Sequence, residues 1–153
     1  MGGDQFRGRA IGTQMSTSMK SIGPLISLSV SRRSPSRKSI NDPWVMNLAL
    51  NDAKNVLEYY EAKKETVAIE IVAYGPGLYM LRSDTSPGKQ LVGEMSMAPQ
   101  ISFAACGNTR ANMAKQEAKD VPLLSEARVV PSGVVRLMEL QNEGYAYIHP
   151  SGR

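Results

Sequence analysis

The chain has 153 residues, one domain's worth, with 42% hydrophobic and 21% charged residues, enough apolar content to close a core. Its net charge of +4 is unevenly spread: residues 1–40 hold seven Lys/Arg and one Asp, whereas residues 41–153 hold eleven Lys/Arg and thirteen Asp/Glu. A mildly acidic folded part argues against nucleic-acid binding, no apolar run is long enough to span a membrane, and one cysteine with one histidine is too few for a protein-only zinc site or an internal disulfide.

Residues 1–40 read as a basic Ser/Arg-rich leader, disordered or partly supplying a first strand. Ser31 to Ser39 contains no apolar residue and is expected to be solvated. Leu25 to Val30 alternates as a strand does, and it is a poor secretory core because no small-x-small cleavage site follows it. The lone cysteine fits a reducing compartment, so a cytoplasmic protein is expected, with an exported form, the leader serving as a degenerate export signal, as the alternative.

Order is expected over 41–150. Asp42 suits an N-cap and Pro43 a first helical position. Met46, Ala49, Leu50, Ala53, Val56, Leu57 and Tyr60 then recur at three- and four-residue spacing, the apolar face of a helix. Asn47, Asn51 and Asn55 fall on another face and read as wetted surface. Thr66 to Ala73 is β-branched and apolar, a strand, and it runs into the Tyr74-Gly75-Pro76-Gly77 turn. That turn lacks the Lys-Ser/Thr of a phosphate loop, and it is not GxGxxG.

Ser86-Pro87 opens a helix to about Met97. Gln100 to Cys106 is a short apolar run, a buried strand, and Gly107-Asn108-Thr109 begins a helix towards Ala118. Ala127 to Val130 is a strand. Pro131-Ser132-Gly133 leads into a helix with Val134, Val135, Leu137, Met138 and Leu140 inward. Gly144 stops it, and Tyr145 to Ile148 is a last strand. Strands alternating with helices predict a three-layer α/β/α domain, its mainly parallel sheet of roughly five strands in flavodoxin-like order and covered on both faces.

Cys106 is the residue with chemistry to offer. It sits at the carboxyl end of a strand and the amino end of a helix, where ligands collect in open α/β sheets and where helix N–H groups favour thiolate. The competing reading is a buried cysteine acting as a small hydrophobe. His149, at the end of the last strand, is expected at the sheet edge, too far from Cys106 to pair with it.

Four blocks carry a family resemblance: Asp42-Pro43-Trp44 with Asn47 to Asn51; Val72 to Gly77; Phe103 to Thr109; and Val130 to Val135 with Leu140 to Ile148. From Asn41 to Pro150 the chain resembles the DsrE/DsrF-like sulfur-relay family, in particular its short single-domain members. The resemblance implies a homo-oligomer, trimer or hexamer, and a cysteine after the third strand that carries a persulfide. Cys106 falls at that position. Relay members follow the cysteine with an Arg-Arg-Gly segment, whereas this chain supplies only Arg110. The family also runs its first strand directly into the Asp-Pro segment, whereas this chain has Arg32 to Ser39 there, so Leu25 to Val30 is expected to fill the first-strand slot through a longer loop.

The expected activity is therefore sulfur carriage on Cys106, exchanged with donor and acceptor proteins and needing no cofactor. Gly75, Pro76 and Gly77 would shape the pocket, and Gly107, Asn108 and Thr109 would stabilise the thiolate. The alternative is an oligomeric assembly or small-ligand-binding subunit with a structural cysteine. Flavin or nucleotide binding at the same crevice would rest on fold analogy alone.

Overall fold

A computed structural model describes the backbone of residues 25–30 and all of residues 43–150. Five strands, β1 (Leu25–Val30), β2 (Ala68–Ala73), β3 (Ile101–Cys106), β4 (Ala127–Val130) and β5 (Tyr145–Ile148), form one sheet in the order β4-β3-β2-β1-β5. Every pairing is parallel. The helices are α1 (Pro43–Ala62), α2 (Lys89–Ser96), α3 (Gly107–Glu117) and α4 (Gly133–Asn142), with a 3₁₀ segment over Gly75–Leu81. The Ser31 to Ser39 expectation lies outside the described residues, but Leu25–Val30 does form a strand, between β2 and β5.

Side-chain alternation divides the core in two. On the first face Ile69, Ile71 and Ala73 of β2 and Ile101, Phe103 and Ala105 of β3 pack against Met46, Ala49, Leu50 and Ala53 of α1. Leu78, Met80 and Leu81 of the 3₁₀ segment and Val92 and Met95 of α2 complete that cluster. On the second face Val72, Ala104 and Val130 meet Leu137 and Leu140 of α4. The α1 stripe read from the sequence is the buried one, and Asn47, Asn51 and Asn55 are exposed.

Three sequence-based expectations need correction. The strand order is not flavodoxin-like, which would be 2-1-3-4-5. Here β1 to β4 step across the sheet in one direction, and the β4–β5 connection returns over three strands to the far side of β1. Because parallel crossovers are right-handed, that reversal puts α4 on the face opposite the other helices. Among the described residues the cover on the second face is consequently thin: it comes from α4, and Ser102 and Tyr147 stay exposed.

The second correction concerns α4 itself. Leu137 and Leu140 point inward, but Val134, Val135 and Met138 are exposed. Their apolarity suggested a wider buried face than one helix crossing an open sheet can supply. The third concerns the Gly-Pro-Gly turn, which instead begins the 3₁₀ segment. Gly75 takes φ +52 there, a conformation glycine adopts without strain, and Pro76 suits the first turn.

Candidate functional site

The strand order decides where a site can form. β3 is followed by α3, whose Met113 packs on the first face, and β4 is followed by α4 on the second. Adjacent strands whose helices leave to opposite faces open a crevice at their carboxyl ends. Cys106 is the last residue of β3 and pairs in register with Val130, the last residue of β4. Its side chain shares the second face with Val72 and Ala104, beneath the start of α4.

Cys106 also caps α3. Its sulfur takes the role usually held by a Ser or Asp oxygen, accepting the backbone N–H of Thr109 at 3.4 Å. The Thr109 hydroxyl accepts the Gly75 N–H at 2.9 Å, which leaves its own proton for the sulfur. From α4, the Gly133 N–H donates to the same sulfur. Asn108 N–H points there too and is shared with the Pro131 carbonyl at 3.2 Å. Two helix N-termini thus converge on one atom, each with partial positive charge.

Two opposing effects set the acidity of the thiol. Burial pushes it up, since Cys106 is 5% exposed, while the Thr109 hydroxyl and the N–H groups of Gly133, Thr109 and Asn108 pull it down. The donors prevail, and the pKa lies below the ordinary thiol value. No cationic side chain is needed for this. Arg110, the single arginine after the cysteine, donates to the Val121 carbonyl at 2.9 Å and pairs with Asp120.

Of the residues singled out in the sequence, Asn108 and Thr109 gather at the sulfur, Gly75 reaches it through the Thr109 hydroxyl, and Gly107 frames the crevice. A Cβ on Gly107 would stand 3.1 Å from the Val130 carbonyl oxygen. Pro76 has no N–H to give, and the Gly77 N–H bonds the Tyr74 carbonyl at 3.1 Å. The sequence reading missed Gly133. Its signal was available as Ser132-Gly133 opening a helix directly after β4, but only the strand order brings that opening beside Cys106. His149 lies past β5, with β1 and β2 between its strand and β3, and is exposed.

A separate apolar cavity of about 200 Å³ opens between α1 and α2, lined by Leu57, Leu91, Met95 and Ile101 with Lys54 and Glu94 at its sides. It touches the first residue of β3, the opposite end of the strand from Cys106. Among the described residues no cluster of His, Cys, Asp and Glu could hold a metal ion, and no helix is long and apolar enough to cross a membrane.

Fold and site together define a small parallel α/β domain with a helix-capped thiol at its switch point. The chain belongs to the DsrE/DsrF-like family, whose model matches residues 34–150. Among solved structures it is similar to MTH1491 from Methanobacterium thermoautotrophicum, a protein of unknown function. The two are 29% identical with a TM-score of 0.66, over 84% of this chain and 100% of that one. No curated protein matches the chain.

Proposed function

We propose that this protein is a sulfur carrier that holds sulfur as a persulfide on Cys106 and passes it to a partner's thiol. The observation that supports this most is the convergence of the Thr109 hydroxyl and three backbone N–H groups on one sulfur. The family's association with sulfur relay points the same way.

The chemistry asks for little more. The Cys106 thiolate attacks the outer sulfur of a donor persulfide. A new S–S bond forms as the donor's S–S bond breaks, the donor departs as a thiolate, and the transferred sulfur keeps its proton. An acceptor thiolate then attacks that outer sulfur, and Cys106 leaves as a thiolate. Nothing is oxidised or reduced overall. The same N–H groups serve both steps, because a lowered pKa enlarges the attacking thiolate fraction and improves the leaving group. The resolving thiol is the partner's, so a single cysteine suffices.

In this reading the carrier works in a reducing, cytoplasmic setting and as a homo-oligomer, trimer or hexamer. Val134, Val135 and Met138, exposed side by side on α4, are the kind of surface a subunit contact covers. The second reading, an oligomeric subunit with a packing cysteine, draws on the 5% exposure of Cys106.

The test is intact mass after incubation with a cysteine desulfurase and cysteine, beside Cys106→Ser. A reductant-labile gain of one sulfur atom, absent from the variant, is expected. No gain, with Cys106 also inert to iodoacetamide, leaves a structural cysteine.

A further inference from the structure

Helix α3 carries Thr109 to the sulfur, yet it has little apolar contact to hold it. None of its residues is buried, and Met113 is its partly buried contact with the first-face core. Helices in proteins owe most of their stability to a packed apolar face, so α3 depends on polar contacts to an unusual degree.

Beside Arg110 on the Val121 carbonyl and Asn108 on the Pro131 carbonyl, the contacts that tie both ends of α3 come from the 3₁₀ segment. At the amino end of α3, Thr109 accepts the N–H of Gly75, the first residue of the segment. At the carboxyl end, Glu117 meets Arg82, the segment's C-cap. Arg82 is 1% exposed and holds two carboxylates, each through two hydrogen bonds. Asp84 accepts at 2.9 and 2.8 Å and Glu117 at 2.5 and 2.9 Å. The Tyr79 ring lies 5.0 Å from the guanidinium. Paired forks of this kind fix geometry as well as energy.

We propose that Arg82 is a positioning residue for the Cys106 thiol: its fork to Glu117 seats the last turn of α3 on one end of the 3₁₀ segment, and so keeps Thr109, at the other end, between Gly75 and the sulfur. Stability alone gives a weak reason for the fork, because a well-packed apolar replacement for a buried ion pair is often as stable. What an apolar pair would not keep is the orientation of the helix. The inference rests on Cys106 being the working thiol, as proposed above.

The fork can be removed without unthreading the chain. Beyond α3, Ser83 N–H bonds the Pro122 carbonyl at 3.0 Å, Leu124 N–H bonds the Leu81 carbonyl at 2.8 Å, and Arg82 bridges Leu123 through the backbone. Glu117→Gln is therefore expected to fold.

The experiment is the pH dependence of Cys106 alkylation by iodoacetamide in the full chain, for wild type, Glu117→Gln, Glu117→Asp and Arg82→Met, each with a thermal melt. The midpoint is expected to rise in Glu117→Gln and Arg82→Met, with alkylation at neutral pH slowed about three- to tenfold, a half to one pKa unit. Glu117→Asp, which keeps the charge, should recover part of the loss. A wild-type midpoint below the ordinary thiol value that stays put in the folded variants, whatever their melting temperature, overturns the inference and leaves the reading of Cys106 intact. If Arg82→Met does not fold, the two Glu117 variants decide. An ordinary midpoint in wild type itself instead sinks the reading of Cys106, and the inference with it.

Discussion

Gly133 and Cys106 touch across the crevice between β3 and β4: a Cβ built on Gly133 would stand 3.3 Å from the Cys106 Cβ and 2.8 Å from that of Tyr74. The second distance is shorter than real side chains tolerate, so the start of α4 can lie this close to Tyr74, just past the end of β2, and beside Cys106 only because position 133 has no side chain. That closeness brings the Gly133 N–H to the sulfur. Gly133→Ala should therefore do two things together. Overpacking should destabilise the fold by about 1–3 kcal/mol, and the displaced N–H should raise the thiol pKa. Urea denaturation reads the first and pH-dependent alkylation the second. A stable variant with an unmoved thiol would show that α4 does not act on Cys106.

Thr109 offers a finer probe, because its hydroxyl acts on the sulfur while its backbone N–H caps the helix. Thr109→Val keeps shape and N–H and removes only the hydroxyl. A hydrogen bond to a charged group is worth roughly 1.5–3 kcal/mol, so the alkylation midpoint should rise by about one to two units. The Gly75 N–H also loses its acceptor, which adds a modest stability loss. Thr109→Ser should restore the wild-type midpoint. An unchanged midpoint in Thr109→Val would assign the acidity to the backbone donors alone.

Much of this was legible in the sequence where one local signal sufficed. The α1 stripe, the β-branched β2 and the turn residues around β4 and Gly144 each marked an element, and Cys106-Gly107-Asn108-Thr109 marked a strand end joined to a helix start. What required the whole sheet was not legible. Nothing local to Gly133 reveals that β4 lies beside β3, and nothing local to Val134, Val135 and Met138 reveals that, among the described residues, α4 crosses its face alone. Arg82 and Glu117 are 35 residues apart, and each reads as an ordinary surface charge until the 3₁₀ segment and α3 are set side by side.

The Arg82 cluster should make the fold sensitive to strong acid. The hydrogen bond from Arg82 holds the Asp84 carboxyl down to about 2, against a smaller upward push from burial, and Arg82 lowers Glu117 as well. A carboxylate whose folded pKa is depressed adds stability above its unfolded pKa, about 4, and loses it as pH falls through the folded value. Melting temperature should thus fall from about pH 4 towards pH 2, and the slope should be shallower in Asp84→Asn/Glu117→Gln, where these groups no longer titrate. Equal slopes would mean that other carboxylates dominate acid unfolding.

Glu70 tests a different anchor, the one that holds α4. It lies buried in β2 among apolar strand residues, and Arg136 of α4 forks onto it at 2.8 Å through both Nε and Nη2. Arg128 of β4 adds a third hydrogen bond at 2.9 Å. Removing one member of a buried pair typically costs about 3–5 kcal/mol, because the partner is left charged and unsatisfied. Here the loss on Glu70→Ala should sit near the lower end, about 3 kcal/mol, since Arg136 can still reach Glu139 and Glu143 and Arg128 is largely exposed. Glu70→Gln keeps the shape and one acceptor, and should lose less. Urea midpoints for the two variants order these costs, and a Glu70→Ala midpoint equal to wild type would mean that Leu137 and Leu140 alone hold α4 on the sheet.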